Sequence, residues 1–205
     1  AHELGTPLAV VDGMAQRLVR KGTPEGGEIR EAVSRMSGIV RQLLEFGARE
    51  SGDWRTVSAR SLLVGAMGAV RGEAARTGVA VEPLGAVSSA LVRGDQPRLE
   101  SALVHLLRNA VQAAGPEGSI RASADVDDDV VRFRVEDTGP GVPEEVRTRL
   151  FEPFYTTKPV GEGAGLGLAV VHAVAEEHAG RVDVDRSSLG GARFTLTIPR
   201  EGGDG

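Results

Sequence analysis

The chain has 205 residues, a formal net charge of −5, 40% hydrophobic and 26% charged residues, and no cysteine. This composition is typical of a globular protein of one or two domains, and the lack of cysteine excludes disulfides and thiolate metal sites. The acidic balance argues against a nucleic-acid-binding protein. The sequence has no apolar run of about 18 residues, which is the length that would indicate a transmembrane span.

The first predicted element is a helix over residues 2–20, where apolar residues recur at helical spacing and form one stripe. His2 lies well outside this stripe, so we expect its side chain to point outward, with Thr6 one turn away and Glu3 beside it. A helical pattern that already runs at residue 2, without a preceding cap, indicates a fragment of a longer chain. The stripe consists of Leu4, Leu8, Val11, Ala15 and Leu18.

The stretch GTPEGG at residues 22–27 is predicted as a turn from its composition, and a second helical stripe follows it. Two amphipathic helices joined by a short turn predict an antiparallel hairpin. Because one hairpin cannot bury both stripes, we expect a second copy of the chain to complete a four-helix bundle. The second stripe consists of Ile29, Val33, Met36, Val40, Leu43 and Gly47.

Helices and strands alternate in the rest of the chain, after a polar linker and short strand at residues 51–57. The patterns predict helices over residues 61–77, 97–114, 142–151 and 165–180. They predict strands over residues 79–81, 90–93, 119–126, 130–137, 181–187 and 192–199, the last four forming two hairpins. Helices on one face of a mixed, largely antiparallel sheet describe an α+β sandwich.

Two polar features of this second part are candidates for ligand binding. His105, Asn109 and Gln112 form a polar seam on an otherwise apolar helix, and the amide oxygen of Asn109 suits a hard cation such as Mg²⁺. The alternative is a seam that faces water. Asp137 ends a strand just before two glycines, where its carboxylate could accept from the amine of adenine. The alternative is an ordinary Asp-Thr-Gly turn.

The third candidate is FEPFYTTKPVGEGAGLGLAVV, where glycines at positions 161, 163, 165 and 167 precede an apolar helix. A glycine-rich loop that runs into a helix N-terminus is a ready site for an anion. The stretch is neither a dinucleotide-binding fingerprint nor a Walker A loop, because no strand precedes it and Gly-Lys-Ser/Thr is absent. The polar residues 155–163 suit a mobile lid.

Together these stretches resemble the sensor histidine kinases of two-component systems. HELGTPL resembles the H box of that family, LLRNAVQAA its N box, DTGPG its first glycine box, FEPFYTTK its F box and GAGLGL its second glycine box. The resemblance implies a dimerising histidine phosphotransfer hairpin at residues 1–51 and a catalytic ATP-binding domain of the GHKL type at residues 55–200. Residues 201–205 would form a tail.

The resemblance also implies roles for individual residues. His2 matches the phosphoacceptor, Glu3 the general base that acts on it, and Thr6 the position that orients water for dephosphorylation of the partner. Asn109 matches the Mg²⁺ ligand and Asp137 the carboxylate that binds adenine. The other nucleotide contacts that it implies are Gly139, Gly141, Lys158, Gly163, Gly165, Gly167 and Leu168.

Three positions depart from the pattern of the family. His105 stands where many members have a second Asn, Gln112 where many have Lys, and Ala192 where Thr is common. These changes could weaken nucleotide affinity without abolishing it.

The activity implied by the resemblance is that of an ATP- and Mg²⁺-dependent autokinase, which phosphorylates its own His2 and passes the phosphoryl group to the receiver domain of a response regulator. The implied assembly is a homodimer in the cytoplasm, with no membrane contact in this stretch, although a parent protein could carry an anchor. Two alternatives stay open. One is a nucleotide-gated phosphatase or scaffold with weak autokinase activity, and the other is a different GHKL-type ATPase, against which HELGTPL argues.

Overall fold

The computed structural model describes residues 2–20, 22–47, 52–82, 84–85, 87–158 and 164–201, and for residues 2–9, 24, 35, 41–42 and 44–46 it describes the backbone alone. The chain divides into two compact units, Ala1–Arg49 with Phe154–Leu166, and Glu50–Pro153 with Gly167–Gly205. In the described ranges, no helix is long and apolar enough to cross a membrane.

The first unit contains the predicted hairpin, formed by helices α1 (His2–Arg20) and α2 (Pro24–Gly47), which pack against each other. The predicted turn over residues 22–27 is wrong from residue 24 onward, because α2 begins at Pro24. Proline fits the first turn of a helix, where its missing N–H needs no partner. A Cβ on Gly26 would lie 2.6 Å from the backbone nitrogen of Val19, so this glycine lets the helices approach closely.

The strands of the second unit form two sheets. They are β1 (Trp54–Ser58), β2 (Ala80–Val81), β3 (Leu91–Asp95), β4 (Ser119–Asp127), β5 (Val130–Asp137), β6 (Arg181–Arg186) and β7 (Ala192–Pro199). The larger sheet has the order β2-β4-β5-β7-β6, in which only the β2–β4 pair is parallel, as predicted for a mixed, largely antiparallel sheet. β1 and β3 pair with each other in a separate two-stranded sheet, which the sequence analysis did not predict.

The helices of the second unit are α3 (Ala59–Thr77), α4 (Gln96–Ala114), α5 (Glu144–Arg147) and α6 (Gly167–Glu177). The helix predicted over residues 142–151 is therefore too long, because α5 has four residues and buries none of them against a neighbouring element. The helix predicted over residues 165–180 is shorter at both ends. Gly165 and Ala179 have positive φ angles of 67° and 51°, which end the helical conformation there.

The core of the second unit lies between the five-stranded sheet and helices α3, α4 and α6. Helix α4 is central, since it packs against α3, α6, β4 and β5. Its start is fixed by Asp95, whose Oδ1 accepts a hydrogen bond from the backbone N–H of Arg98 at 3.1 Å. This packing holds α4 rigidly beside the end of β5, where the candidate site lies.

Candidate functional site

Asp137, the last residue of β5, has a side chain that is only 1% exposed. Its Oδ1 accepts hydrogen bonds from the backbone N–H groups of Gly139 at 2.8 Å and of Ala192 at 3.1 Å. Among the residues that the structure describes, none donates a hydrogen bond to the other oxygen, Oδ2. Burial raises the pKa of this carboxyl above its ordinary value, and the two hydrogen bonds counteract only part of the effect. The arrangement leaves one carboxylate oxygen for a ligand.

Glycine backbone surrounds this carboxylate. A Cβ on Gly191 would lie 2.1 Å from Oδ1 of Asp137, and a Cβ on Gly139 would lie 2.6 Å from the carbonyl oxygen of Ala113 on α4. Gly141 has φ of 79°, and a Cβ there would lie 3.4 Å from the carbonyl oxygen of Gly191. These glycines therefore let the backbone of the β6–β7 turn and of α4 pack directly around the end of β5.

Gly191 is a site residue that the sequence analysis missed. Its N–H donates to the carbonyl oxygen of Asp137 at 3.1 Å, which joins the β6–β7 turn to the end of β5. The signal was present in the stretch GGARF, but only the register of the sheet places that stretch opposite Asp137.

Two residues of α4, each one turn from Asn109, lie against glycines of the second unit. Asn109 is half-buried, and its side-chain amide makes no hydrogen bond to any residue in the described ranges. One turn before it, Nδ1 of the buried His105 lies 3.4 Å from the Cβ position of Gly167, at the start of α6. One turn after it, Ala113 meets Gly139. Since residues four apart share one helix face, Asn109 lies on α4 between the contacts with Gly167 and Gly139.

Gln112, the last member of the seam, is exposed, and Leu168 is half-buried on α6, where it packs against the core. The seam therefore changes along α4 from a buried His105 to an exposed Gln112. A half-buried amide without a partner is the member that suits ligand binding best.

The segment Phe154–Leu166 belongs to the first unit and contains Lys158 and Gly165. The N–H of Phe154 donates to the carbonyl oxygen of Gly165 at 2.9 Å, and both residues have φ of 67°. A Cβ on Gly165 would lie 2.5 Å from the carbonyl carbon of Phe154, so the loop is closed tightly at its base. The backbone N–H of Lys158 donates to Oγ1 of Thr156 at 3.2 Å. Gly163 lies outside the described residues.

His2, Glu3 and Thr6 lie on the first turns of α1. The helical backbone puts Thr6 one turn after His2, as predicted. The expected outward direction of the His2 side chain lies outside what the structure describes.

A magnesium site would have to use few protein ligands. The described parts of the chain contain no group of three or more His, Cys, Asp or Glu side chains that could hold a metal ion. The side-chain amide of Asn109, which has no hydrogen-bond partner among the described residues, fits Mg²⁺, which keeps several waters and takes its remaining oxygens from phosphates.

Comparison with known proteins gives two family matches. The family described as "Histidine kinase-, DNA gyrase B-, and HSP90-like ATPase" matches residues 94–202, and the "His Kinase A (phospho-acceptor) domain" matches residues 1–52. These two matches cover all five motifs that the sequence analysis singled out.

Individual relatives agree with these matches. Sensor histidine kinase ZraS of Escherichia coli O157:H7 is 31% identical over 206 residues, which are 97% of this chain and 44% of ZraS. Sporulation kinase A of Bacillus subtilis is 30% identical over 207 residues, which are 98% of this chain and 34% of that kinase. This chain thus spans less than half the length of these curated relatives.

A solved structure shows the same fold over nearly the whole chain. Full-length ShkA in complex with AMPPNP is 32% identical to this chain, with a TM-score of 0.79, and the match covers 97% of this chain and 44% of ShkA. The shared fold and the two family matches show that the chain belongs to the sensor histidine kinases of two-component systems, with a phosphoacceptor domain followed by a nucleotide-binding catalytic domain of the GHKL type.

Proposed function

We propose that this chain is an ATP-dependent autokinase, which phosphorylates its own His2 and passes the phosphoryl group to an aspartate of a response regulator. The observation that carries the proposal is the buried Asp137, one of whose carboxylate oxygens accepts no hydrogen bond from the described residues and lies among glycine backbone. That site lies in the same chain as a phosphoacceptor domain match that includes HELGTPL.

In this proposal Oδ2 of Asp137 accepts a hydrogen bond from the exocyclic amine of adenine. Oδ1 is already occupied by two backbone N–H groups, so the carboxylate is fixed before the nucleotide arrives. A fixed acceptor in a buried site binds its donor more strongly than a mobile, hydrated one. The AMPPNP complex of ShkA, the structural relative at 32% identity, supports a nucleotide in this domain.

The phosphates and the metal would lie on the Asn109 side of the same site. We propose that Asn109 binds Mg²⁺, which neutralises phosphate charge when bound. The resemblance to the family implies further nucleotide contacts, and these belong to the same proposal, namely Gly139, Gly141, Lys158, Gly163, Gly165, Gly167 and Leu168.

The phosphoacceptor chemistry needs only His2 and its neighbours on α1. A ring nitrogen of neutral His2 attacks the γ-phosphorus of ATP, ADP leaves with the electrons of the broken P–O bond, and Glu3 accepts the proton from the other ring nitrogen. Thr6 would orient the water that hydrolyses the phospho-aspartate of the receiver domain. A phosphotransfer hairpin at residues 1–51, a catalytic domain at residues 55–200, a homodimer and a cytoplasmic location belong to the same proposal.

Calorimetric titration with ATP tests the nucleotide site. Asp137→Asn should lower the affinity for ATP by roughly ten- to a hundredfold, because an amide presents a donor to the adenine amine and a hydrogen bond to a charged acceptor is lost. Asp128→Asn is the matched control, since Asp128 is an exposed turn residue with φ of 50°, a conformation that Asn also adopts. Equal affinity in the Asp137→Asn variant and the unmodified chain would contradict the assignment.

The metal ligand is tested in the same titration. Asn109→Ala should weaken only the Mg²⁺-dependent part of ATP binding and leave the affinity for metal-free ADP nearly unchanged. An equal loss with and without Mg²⁺ would assign Asn109 to the packing of α4 instead.

A further inference from the structure

We propose that Glu136 is a positioning residue, which holds the β6–β7 turn against Asp137 and thereby sets the selectivity of the site for adenine. This inference rests on the nucleotide site proposed above. It adds a role for a carboxylate that does not touch the nucleotide itself.

Glu136 is buried on a face of the sheet where charged residues are usually exposed. It precedes Asp137 on β5, so the two side chains point to opposite faces of the sheet. Only 7% of Glu136 is exposed. Its Oε1 accepts hydrogen bonds from Oγ of Ser187 at 3.2 Å, Oγ of Ser188 at 3.1 Å and the backbone N–H of Ser188 at 3.2 Å. One carboxylate oxygen thus fixes the start of the β6–β7 turn.

The same turn supplies the groups that hold Asp137. The N–H of Ser187 donates to the carbonyl oxygen of Gly191 at 2.8 Å, which closes the turn. The next groups along the chain, the N–H groups of Gly191 and Ala192, donate to the carbonyl oxygen and to Oδ1 of Asp137, both at 3.1 Å. Hydrogen bonds therefore lead from Glu136 through the turn to the carboxylate of Asp137.

Residue 192 can hold Asp137 only through its backbone, so the position of the turn backbone determines this contact. Alanine has no side-chain hydroxyl, so the N–H of Ala192 is the group through which this residue holds Oδ1. A shift of the turn would lengthen that bond, and the carboxylate could then rotate. Oδ2 would no longer be fixed toward a ligand amine.

The arginines on the strands beside Glu136 form ion pairs with other carboxylates, so they do not take the place of the serines as its partners. Arg121 and Arg193 lie opposite Glu136 on the neighbouring strands. Arg121 forms an ion pair with Glu82 at 2.7 Å, and Arg193 forms one with Asp185 at 3.6 Å. Glu136 is thus held by directional hydroxyl and N–H donors, which fix the turn more closely than an ion pair would.

The ratio of the affinity for ATP to the affinity for GTP measures the positioning role of Glu136. Adenine carries a donor amine where guanine carries a carbonyl oxygen, so only adenine gains from a fixed carboxylate acceptor. In titrations of the full chain, Glu136→Ala and the double variant Ser187→Ala/Ser188→Ala should each lower the ratio of ATP to GTP affinity roughly three- to tenfold. Glu136→Gln should restore most of the ratio, because its amide oxygen still accepts from both serines.

Glu177→Ala is the control, since the carboxylate of Glu177 likewise accepts a hydrogen bond, from Arg98 at 2.7 Å, but lies at the end of α6 opposite to Gly167. The ratio of ATP to GTP affinity in this control variant should stay unchanged. If the Glu136 and serine variants keep the ratio while Asp137→Asn loses it, the positioning role is overturned and the adenine site stands. If Asp137→Asn also keeps the ratio, the adenine site fails and the role of Glu136 fails with it.

Discussion

Asp137 keeps a carboxylate in a place where burial disfavours its charge. Burial raises its pKa above the ordinary value of 3.8, and no ion pair to it is formed among the residues that the structure describes. For a carboxyl with a raised pKa, the contribution to folding stability is complete below the ordinary value and is lost as the pH rises through the raised value. The site therefore costs stability at neutral pH in the absence of nucleotide.

The raised pKa of Asp137 predicts how the stability of the nucleotide-free chain depends on pH. Asp137→Asn should raise the free energy of unfolding at pH 7, because the Asn oxygen still accepts from Gly139 and Ala192 while the buried charge is gone. The gain should shrink as the pH falls toward 3.8. Urea denaturation at several pH values measures it. A loss of stability of the same size at every pH would show that the charge of Asp137 does not destabilise the fold.

Glu3 and Thr6 should separate two activities of the phosphoacceptor helix. Glu3→Gln should slow autophosphorylation by roughly 10²- to 10⁴-fold, the usual effect of losing acid–base assistance. Thr6→Ala should spare autophosphorylation and slow hydrolysis of the partner's phospho-aspartate, because the hydroxyl that places the water is missing. Rates of label uptake and release give both values, with Glu28→Gln on the exposed face of α2 as control. A Thr6→Ala variant that loses autophosphorylation would argue against this division.

The residues of the proposed nucleotide site were not equally predictable. Asp137, Gly139 and Asn109 follow from local patterns, namely a strand that ends in an acid, a glycine after it and a polar seam on an apolar helix. Gly191 and Glu136 act through the pairing of β5 with β7, two strands more than fifty residues apart in the chain. That register is set by tertiary packing, and no local pattern carries it.

At the scale of elements, close backbone approach decides where glycine is required. Gly191→Ala should lower ATP affinity by at least about tenfold, because its Cβ would lie 2.1 Å from Oδ1 of Asp137 and 2.6 Å from the nitrogen of Gly139. Gly72→Ala, on α3, is the control, since a Cβ there meets nothing within 4 Å and alanine favours the helix. Titration with ATP compares the two. Unchanged affinity in Gly191→Ala would mean that the turn can move without disturbing Asp137.

The helices with a strong hydrophobic period were predicted, but the accuracy of their predicted ends differed from one helix to the next. Helix α4 was predicted to within one residue, because Pro97 and Gly115 mark its ends and its apolar residues are buried. The turn before α2 was overestimated because the two glycines after Pro24 favour a turn in isolation, whereas packing against α1 keeps them helical. The separate β1–β3 sheet depends on a pairing across α3, which neither strand signals by itself.

At the scale of the whole molecule, the first unit leaves apolar surface exposed. Val33 and Ala15 are buried within the hairpin, whereas other stripe members are 38–47% exposed in the single chain, namely Val11, Ile29, Met36 and Leu43. A second hairpin would cover this surface in the proposed homodimer.

Leu18→Glu with Leu43→Glu should therefore convert dimers to monomers, because burying each leucine contributes roughly 1.5 to 3 kcal/mol. Sedimentation equilibrium measures the change, with Arg17→Glu as a control at an exposed polar position of α1. A tight dimer in the double variant would place the interface elsewhere.

Labelling with γ-³²P-ATP and Mg²⁺ tests most directly whether ATP phosphorylates His2. We expect an acid-labile, base-stable label on the chain, and we expect His2→Ala to lose all of it while calorimetry still shows ATP binding. An unlabelled chain that still binds ATP would contradict the autokinase and favour a nucleotide-gated phosphatase or scaffold. Label that persists in His2→Ala would contradict the phosphoacceptor assignment and move it to one of the other histidines, His105, His172 or His178.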